Sequence, residues 1–305
     1  MPYVDLFVEP NPLRFAGSAI SMERAKYIVI GVPFDTTSSY KPGSRFAPSR
    51  IREASLNIES NSLSGIGLFI EDVPMTDIGD ISVVHGDPVA TLDRISKVAE
   101  EIARSNKILL SIGGEHTITA GIMKGLASAG RRPCLAVFDA HLDLRDDYLG
   151  CRHGHASAIR RAIEAAEPPR ILYIGARAYA REELEYAQAL RGRVEIIDPL
   201  TVRRLGPRNV AARARMHLSQ CSETYISFDI DGIDPSYAPG TGTPEPLGLD
   251  VYEAFRILSE LVDSRLIGAD LVEVNPMVDL SGITSVLGAR ILQEIALLRE
   301  SSEPK

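Results

Sequence analysis

The sequence is short of the features that would remove it from the ordinary aqueous interior of a cell. Cysteine is scarce. Cys134, Cys151 and Cys221 are the only three, an odd number with no pair at Cys-x-x-Cys spacing. That argues against a disulfide framework and for a reducing compartment. Cys134, inside an apolar run, reads as core packing. Cys151 stands just before His153 and His155, but no second Cys/His pair completes a tetrahedral zinc set. Positive charge is also in deficit, with 33 Lys and Arg against 41 Asp and Glu and a net charge of -8. An acidic surface repels phosphate backbones, so no nucleic-acid partner is expected. The same balance suits a cationic ligand, although solubility alone accounts for it. No apolar run approaches bilayer length. The segment Met1-Pro2-Tyr3-Val4-Asp5 lacks the basic and then apolar pattern of a secretory signal. The expectation is a cytoplasmic protein with no membrane partner. No Ser/Gly linker or internal repeat divides the chain, so residues 1–305 read as one domain, with disorder confined to Ser301–Lys305.

What is present is an alternation of short apolar runs with longer amphipathic segments. Strands are expected at Lys26–Val32, Ile108–Ile112, Leu135–Phe138, Ile171–Ile174, Val194–Ile197, Tyr225–Phe228 and Ile267–Val274. Each run is nearly continuous in Ile, Val and Leu rather than alternating, the pattern of strands covered on both faces. Helical spacing follows Leu92, Ile95, Val98, Ala99 and Ile102. It recurs over Asp250–Val262, with Asp250 as N-cap, and over Thr284–Leu298. The fold class is α/β: a mainly parallel sheet flanked by helices. Two long loops interrupt it, Gly31–Pro48 and Asp231–Leu249. Such loops are often functional, and ligands in open α/β sheets gather outside the carboxyl ends of the strands.

Three strands end in groups that carry chemistry. Gly113-Gly114-Glu115-His116 follows the first, Asp139-Ala140-His141-Leu142-Asp143 the second, and Asp229-Ile230-Asp231 the third. In a parallel sheet these ends share one edge. Residues two apart in extended chain point the same way, so Asp139, His141 and Asp143 can face one pocket, and Asp229 and Asp231 likewise. Four carboxylates crowded together repel unless cations neutralise them. Carboxylate and imidazole ligands suit Mn²⁺ and similar ions better than thiolate-loving ones. The set exceeds the needs of one ion, so two metals are expected, an arrangement that suits a hydrolase. A lone Asp-x-Asp is usually a turn or a solvated face, and a lone strand-end histidine is usually structural. Three clusters after three strands are not.

These segments resemble the signature blocks of the ureohydrolase family, which contains arginases and agmatinases. The matching blocks are Gly-Gly-Glu-His, Asp-Ala-His-x-Asp and Ser227-Phe228-Asp229-Ile230-Asp231-x-x-Asp234-Pro235. The resemblance extends to Gly31-Val32-Pro33-Phe34-Asp35, to Tyr40–Phe46, to Ala238–Pro246 and to Glu273-Val274-Asn275-Pro276. It implies an arginase-like three-layer domain with two Mn²⁺ ions. His116, Asp139, Asp143 and Asp229 would hold one ion; Asp139, His141, Asp229 and Asp231 would hold the other. Asp143 would also steady the attacking hydroxide, and Glu273 would pair with the guanidinium of a small cationic substrate. A histidine would protonate the leaving amine. Register from both Asp143 and Arg160-Arg161 puts that role on His155, while His153-Gly154 imitates the family's His-Gly form and is the rival, within reach of substrate. The resemblance also implies a homo-oligomer, trimeric or hexameric.

The stretch Asp143-Leu144-Arg145-Asp146-Asp147-Tyr148 resembles archaeal-type agmatinases, so agmatine is the expected substrate. Arginine, N1-aminopropylagmatine and guanidinobutyrate are the alternatives. Arg145 would repel the ammonium of agmatine unless Asp146 or Asp147 pairs with it or it points away. Readings of a different class are a non-catalytic metal or small-molecule binder on this fold and a zinc deacetylase of related architecture. The full ligand set with Glu273 weighs against the binder; a deacetylase would need fewer carboxylate ligands and a different loop around the zinc.

Overall fold

The structure, a computed structural model, describes residues 1–303. Its strands are β1 Val8–Glu9, β2 Tyr27–Val32, β3 Met75–Ile81, β4 Ile108–Gly113, β5 Cys134–Phe138, β6 Ile171–Ile174, β7 Val194–Ile197, β8 Thr224–Asp229 and β9 Leu266–Val272. Its helices are α1 Pro2–Phe7, α2 Ala47–Ser55, α3 Pro88–Arg104, α4 Ile118–Ser128 and α5 Ala158–Ala166, then α6 Arg181–Ala189, α7 Pro199–Leu205, α8 Pro207–His217, α9 Val251–Leu261 and α10 Ile283–Ser301. Among the described residues the strands form one sheet in the order β1-β3-β2-β4-β9-β8-β5-β6-β7. Only the β1–β3 pair is antiparallel.

The continuous apolar runs become strands buried on both sides. Along β5, Cys134, Ala136 and Phe138 face one core and Leu135 and Val137 the other. The first core is closed by α2, α7, α8, α9 and α10, the second by α1, α3, α4, α5 and α6. The result is the three-layer, mainly parallel α/β domain that the sequence predicts. Asp250 caps α9 as expected: it accepts from Glu253 N at 2.7 Å, and Glu253 accepts in return from Asp250 N at 3.0 Å. Helix α10 continues through Ser301. Of the tail expected to be disordered, residues 304 and 305 lie outside the described residues.

Two strands escape the apolar pattern. One is the two-residue β1. The other is β3, whose sequence Met-Thr-Asp-Ile-Gly-Asp-Ile is broken by Asp77, Gly79 and Asp80. The break has a partner. Arg52 of α2 is fully buried and donates to Asp77 from Nε (2.7 Å) and from Nη2 (3.0 Å), to Asp80 at 2.6 Å and to the Gly79 carbonyl at 2.9 Å. A guanidinium whose three nitrogens each donate to an acceptor, two of them carboxylates, is the form in which a charge can be buried.

The cysteine reading is corrected. Cys134, at the start of β5, is disulfide-bonded to Cys221, in the turn before β8, with their Cα atoms 5.9 Å apart. The partners are 87 residues apart in sequence, but β5 and β8 are neighbours with Cys134 in register with Thr224. Cysteine usage therefore no longer argues for a reducing compartment. Cys151 is a free thiol. Among the described residues no helix is long and apolar enough to cross a membrane.

Candidate metal centre and active site

The sheet order sets the site. From β4 the chain crosses to β5, and β9 and β8 fill the gap between them. This is a topological switch point, where strand ends open a crevice. The four adjacent ends of β4, β9, β8 and β5 deliver His116, Glu273, Asp229 with Asp231, and Asp139 with His141 and Asp143. Gly114 permits the tight passage out of β4, because a Cβ there would collide with the Phe34 carbonyl. Asp143 and Glu273 leave their strands with φ of +51° and +61°, conformations that side chains with a Cβ rarely adopt and that cluster at functional sites. This turn ends β9 at Val272, two residues before the expected end.

His116 Nδ1 lies 2.9 Å from Asp143 Oδ2, 3.2 Å from Asp139 Oδ2 and 3.3 Å from Asp229 Oδ2. His141 Nδ1 lies 3.0 Å from Asp231 Oδ2 and 3.5 Å from Asp139 Oδ1. Two triads that could hold a cation result: His116, Asp139 and Asp229, and then Asp139, His141 and Asp231. Asp139 belongs to both, and Asp143 joins the first through His116. The six groups read from the sequence are thus brought together. Two atoms decide what they need. His116 Nδ1 and Asp139 Oδ2 are buried with no hydrogen-bond partner, and they face each other. Together with the neighbouring carboxylates they make up a donor set that could hold divalent cations.

The electrostatics agree. Burial opposes the imidazolium of His141, but Asp231 and Asp139 outweigh it and push its pKa up to about 12. Burial and then the Asp139 charge raise Asp143 to about 7, and burial with Asp231 holds Asp229 well above the usual carboxylate range. A site that pulls protons onto its ligands so strongly is short of positive charge.

The orientation of His116 is fixed from behind. Its Nε2 is 2.9 Å from Ser227 Oγ, and Ser227 donates to Asp270 Oδ1 at 2.6 Å. With its proton committed to a carboxylate, Ser227 must accept from Nε2–H, which leaves the Nδ1 lone pair for the centre. Thr119 and Tyr225 complete the Asp270 shell at 2.9 and 2.8 Å. Sequence reasoning missed Asp270. The available signal was an acidic residue inside the apolar run of β9, which only a buried polar network explains.

The cluster opens into a cavity of about 350 Å³ whose lining includes Glu273, His155, Arg145, Tyr148, Glu183 and Glu245. Glu273 accepts from the His116 backbone N at 2.7 Å. Burial and the nearby Glu115 hold its carboxyl well above the usual range. His155 Nδ1 is 3.9 Å from Glu273, and its Nε2 is 2.9 Å from Ser39 Oγ. Burial, then the charges of His141 and His116, lower His155 to about 4.

Residues 25–298 match the model of the arginase family. The chain belongs to the arginase family. It is 38% identical over 86% of its length to the N(1)-aminopropylagmatine ureohydrolase of Thermococcus kodakarensis, covering 87% of that protein. It is 35% identical to the agmatinase of Bacillus subtilis, covering 93% of this chain and 95% of that one. The crystal structure of agmatine ureohydrolase of Thermoplasma volcanium superposes with a TM-score of 0.86, at 36% identity over 95% of each chain.

Within this arginase-family chain the two candidate histidines part company. His153 does not line the cavity of the cluster; it lines a separate pocket with Leu92, Gly121 and Arg161. Arg145 does line the cavity, but the partners expected for it are wrong. Asp146 pairs with Arg161 at 2.7 Å and Arg152 at 3.1 Å. Arg145 instead meets Glu182 at 3.2 Å and Glu183 at 3.8 Å, with its guanidinium 4.9 Å from the Tyr148 ring centroid. Helix α6, brought alongside by β6, supplies those carboxylates. Arg177 was also missed. It donates to the carbonyls of Asp231, Glu245 and Pro246 at 2.9, 2.7 and 2.9 Å, tying the long loop after β8 to the cluster.

Proposed function

We propose that this chain is a binuclear ureohydrolase that cleaves the guanidino group of agmatine, releasing urea and putrescine, with two Mn²⁺ ions as its cofactors. One observation carries the reading. Two triads that could hold a cation share Asp139, and Glu273 and His155 line the same cavity. His116, Asp139, Asp143 and Asp229 would hold one ion and Asp139, His141, Asp229 and Asp231 the other. Bound cations would supply Lewis acidity that lowers the pKa of the attacking water. The remaining work falls to side chains. Glu273 pairs with guanidinium N–H groups and presents the planar carbon to that water. Asp143 accepts a hydrogen bond from the attacking oxygen and steadies the tetrahedral intermediate. His155, a neutral imidazole at pH 7, relays a proton to the departing nitrogen. Both protons of the water end on that nitrogen, which leaves as an ammonium.

The cavity also supports a cationic far end. Arg145 is countered by Glu182 and Glu183, and Glu245, another acidic residue, also lines the cavity. Urea release with Mn²⁺ should be measured in parallel on agmatine, arginine, N1-aminopropylagmatine and guanidinobutyrate. The highest kcat/KM is expected on agmatine. A much higher value on arginine would overturn the substrate assignment, and absence of urea from all four would favour a non-catalytic binder.

A further inference from the structure

The loop between β2 and α2 reaches His155 through two side chains, Thr37 and Ser39, whose roles the proposed reaction leaves open. Thr37 Oγ1 donates to Glu115 Oε1 at 2.5 Å, and Thr37 N donates to Glu115 Oε2 at 2.8 Å. Glu115 is fully buried, and its own backbone N donates to Phe34 O at 2.7 Å. The proton of the Thr37 hydroxyl is therefore committed to a carboxylate, and the oxygen is free to accept. It accepts from the backbone N of His155 at 3.0 Å. Two residues further along the same loop, Ser39 Oγ meets His155 Nε2 at 2.9 Å. Gly154 lets the two loops close on each other, since a Cβ there would stand 3.3 Å from Thr37 Oγ1.

We propose that Thr37, locked by Glu115, is a positioning residue that sets the backbone of His155 and brings Ser39 onto its imidazole. This rests on His155 as the proton donor of the proposed reaction. The geometry gives Thr37 a purpose beyond turn formation. Thr37 ties a loop from the end of β2 to a loop beyond β5, and an imidazole misplaced by about 1 Å loses on the order of 10²-fold in rate. The Thr37 hydroxyl is taken up by Glu115 and His155 N and the Ser39 hydroxyl by His155 Nε2, so their effect should fall on turnover and leave metal binding alone.

The test is a double-mutant cycle on the Mn²⁺-loaded enzyme with agmatine, with metal affinity and melting temperature measured on every variant. Thr37→Val is expected to lower kcat at least about tenfold with KM and Mn²⁺ affinity unchanged, and Thr37→Ser to restore it. Ser39→Ala, at an exposed position that does not threaten folding, is expected to lower kcat in the same direction. In a His155→Asn background Thr37→Val should have no further effect on kcat, because it acts only through that histidine. Full additivity of the two changes, or loss confined to KM or to Mn²⁺ affinity, overturns the positioning role while leaving His155 as donor. Unimpaired turnover by His155→Asn overturns the donor assignment and the positioning role with it.

Discussion

Removing the disulfide should cost stability without touching the chemistry. Cys134–Cys221 closes a loop of 87 residues. In the chain-entropy treatment a loop of that length constrains the unfolded chain by about 4–5 kcal/mol at 25 °C. With an unfolding entropy of roughly 2.1 cal/mol/K per residue, the 305-residue chain has a total near 0.6 kcal/mol/K. The melting temperature should then fall by about 7 °C. Cys134 opens β5 and Cys221 precedes β8, whereas Asp139 and Asp229 lie at the far ends of the same strands. The staple and the site are thus separated by the length of the sheet. The assay compares the Cys134→Ala, Cys221→Ala double variant with the unaltered protein, with and without a thiol reductant, by calorimetry and by urea release at 25 °C. A shift within about 1 °C would refute the entropic argument. So would a fall in kcat parallel to the fall in stability, because it would mean that the two ends of the sheet are coupled.

Three further outcomes follow from other parts of the structure. His155→Asn should lower kcat by about 10²–10⁴-fold, the usual range for losing a positioned proton-transfer group, while His153→Asn should leave turnover close to that of the unaltered enzyme; the reverse ranking in a urea assay would move the role to His153. Arg52→Met leaves Asp77 buried without its counter-charge and should cost about 3–5 kcal/mol in denaturant unfolding; an unchanged midpoint would contradict the reading of that pair. Ser227→Ala removes the acceptor that fixes the His116 tautomer and should weaken metal binding by about 10–100-fold in calorimetric titration, and unchanged affinity would show that His116 is oriented by other means.

Much of this fold is legible in the sequence because a parallel sheet buried on both faces needs unbroken apolar strands. Each of β2 and β4–β9 was found from such a run. The failures have the opposite cause. In β3 a buried ion pair replaces the apolar run: Asp77 is satisfied by Arg52, a residue of another element, and nothing local announces it. The candidate metal ligands were readable because they sit at or shortly after the ends of strands that share an edge. Their supports were not. Asp270, Arg177, Glu182 and Glu183 act on the site from positions fixed only by sheet order, and the Arg145 partners expected from sequence were simply its nearest carboxylates along the chain. Thr37 and Ser39 lay in a stretch whose composition reads as turn-forming. The disulfide was hidden by an odd cysteine count and by a long separation that strand pairing closes.

The proposed hydrolysis requires two cations held by the carboxylates and imidazoles that converge on Asp139. Protein stripped with a chelator should be titrated with Mn²⁺ while bound metal per chain and urea release from agmatine are measured on the same samples. Turnover should be negligible in the stripped protein and activity should rise to a plateau as occupancy reaches two ions per chain. Full activity in the stripped protein, or saturation of activity at a single ion with no second binding event, would contradict it.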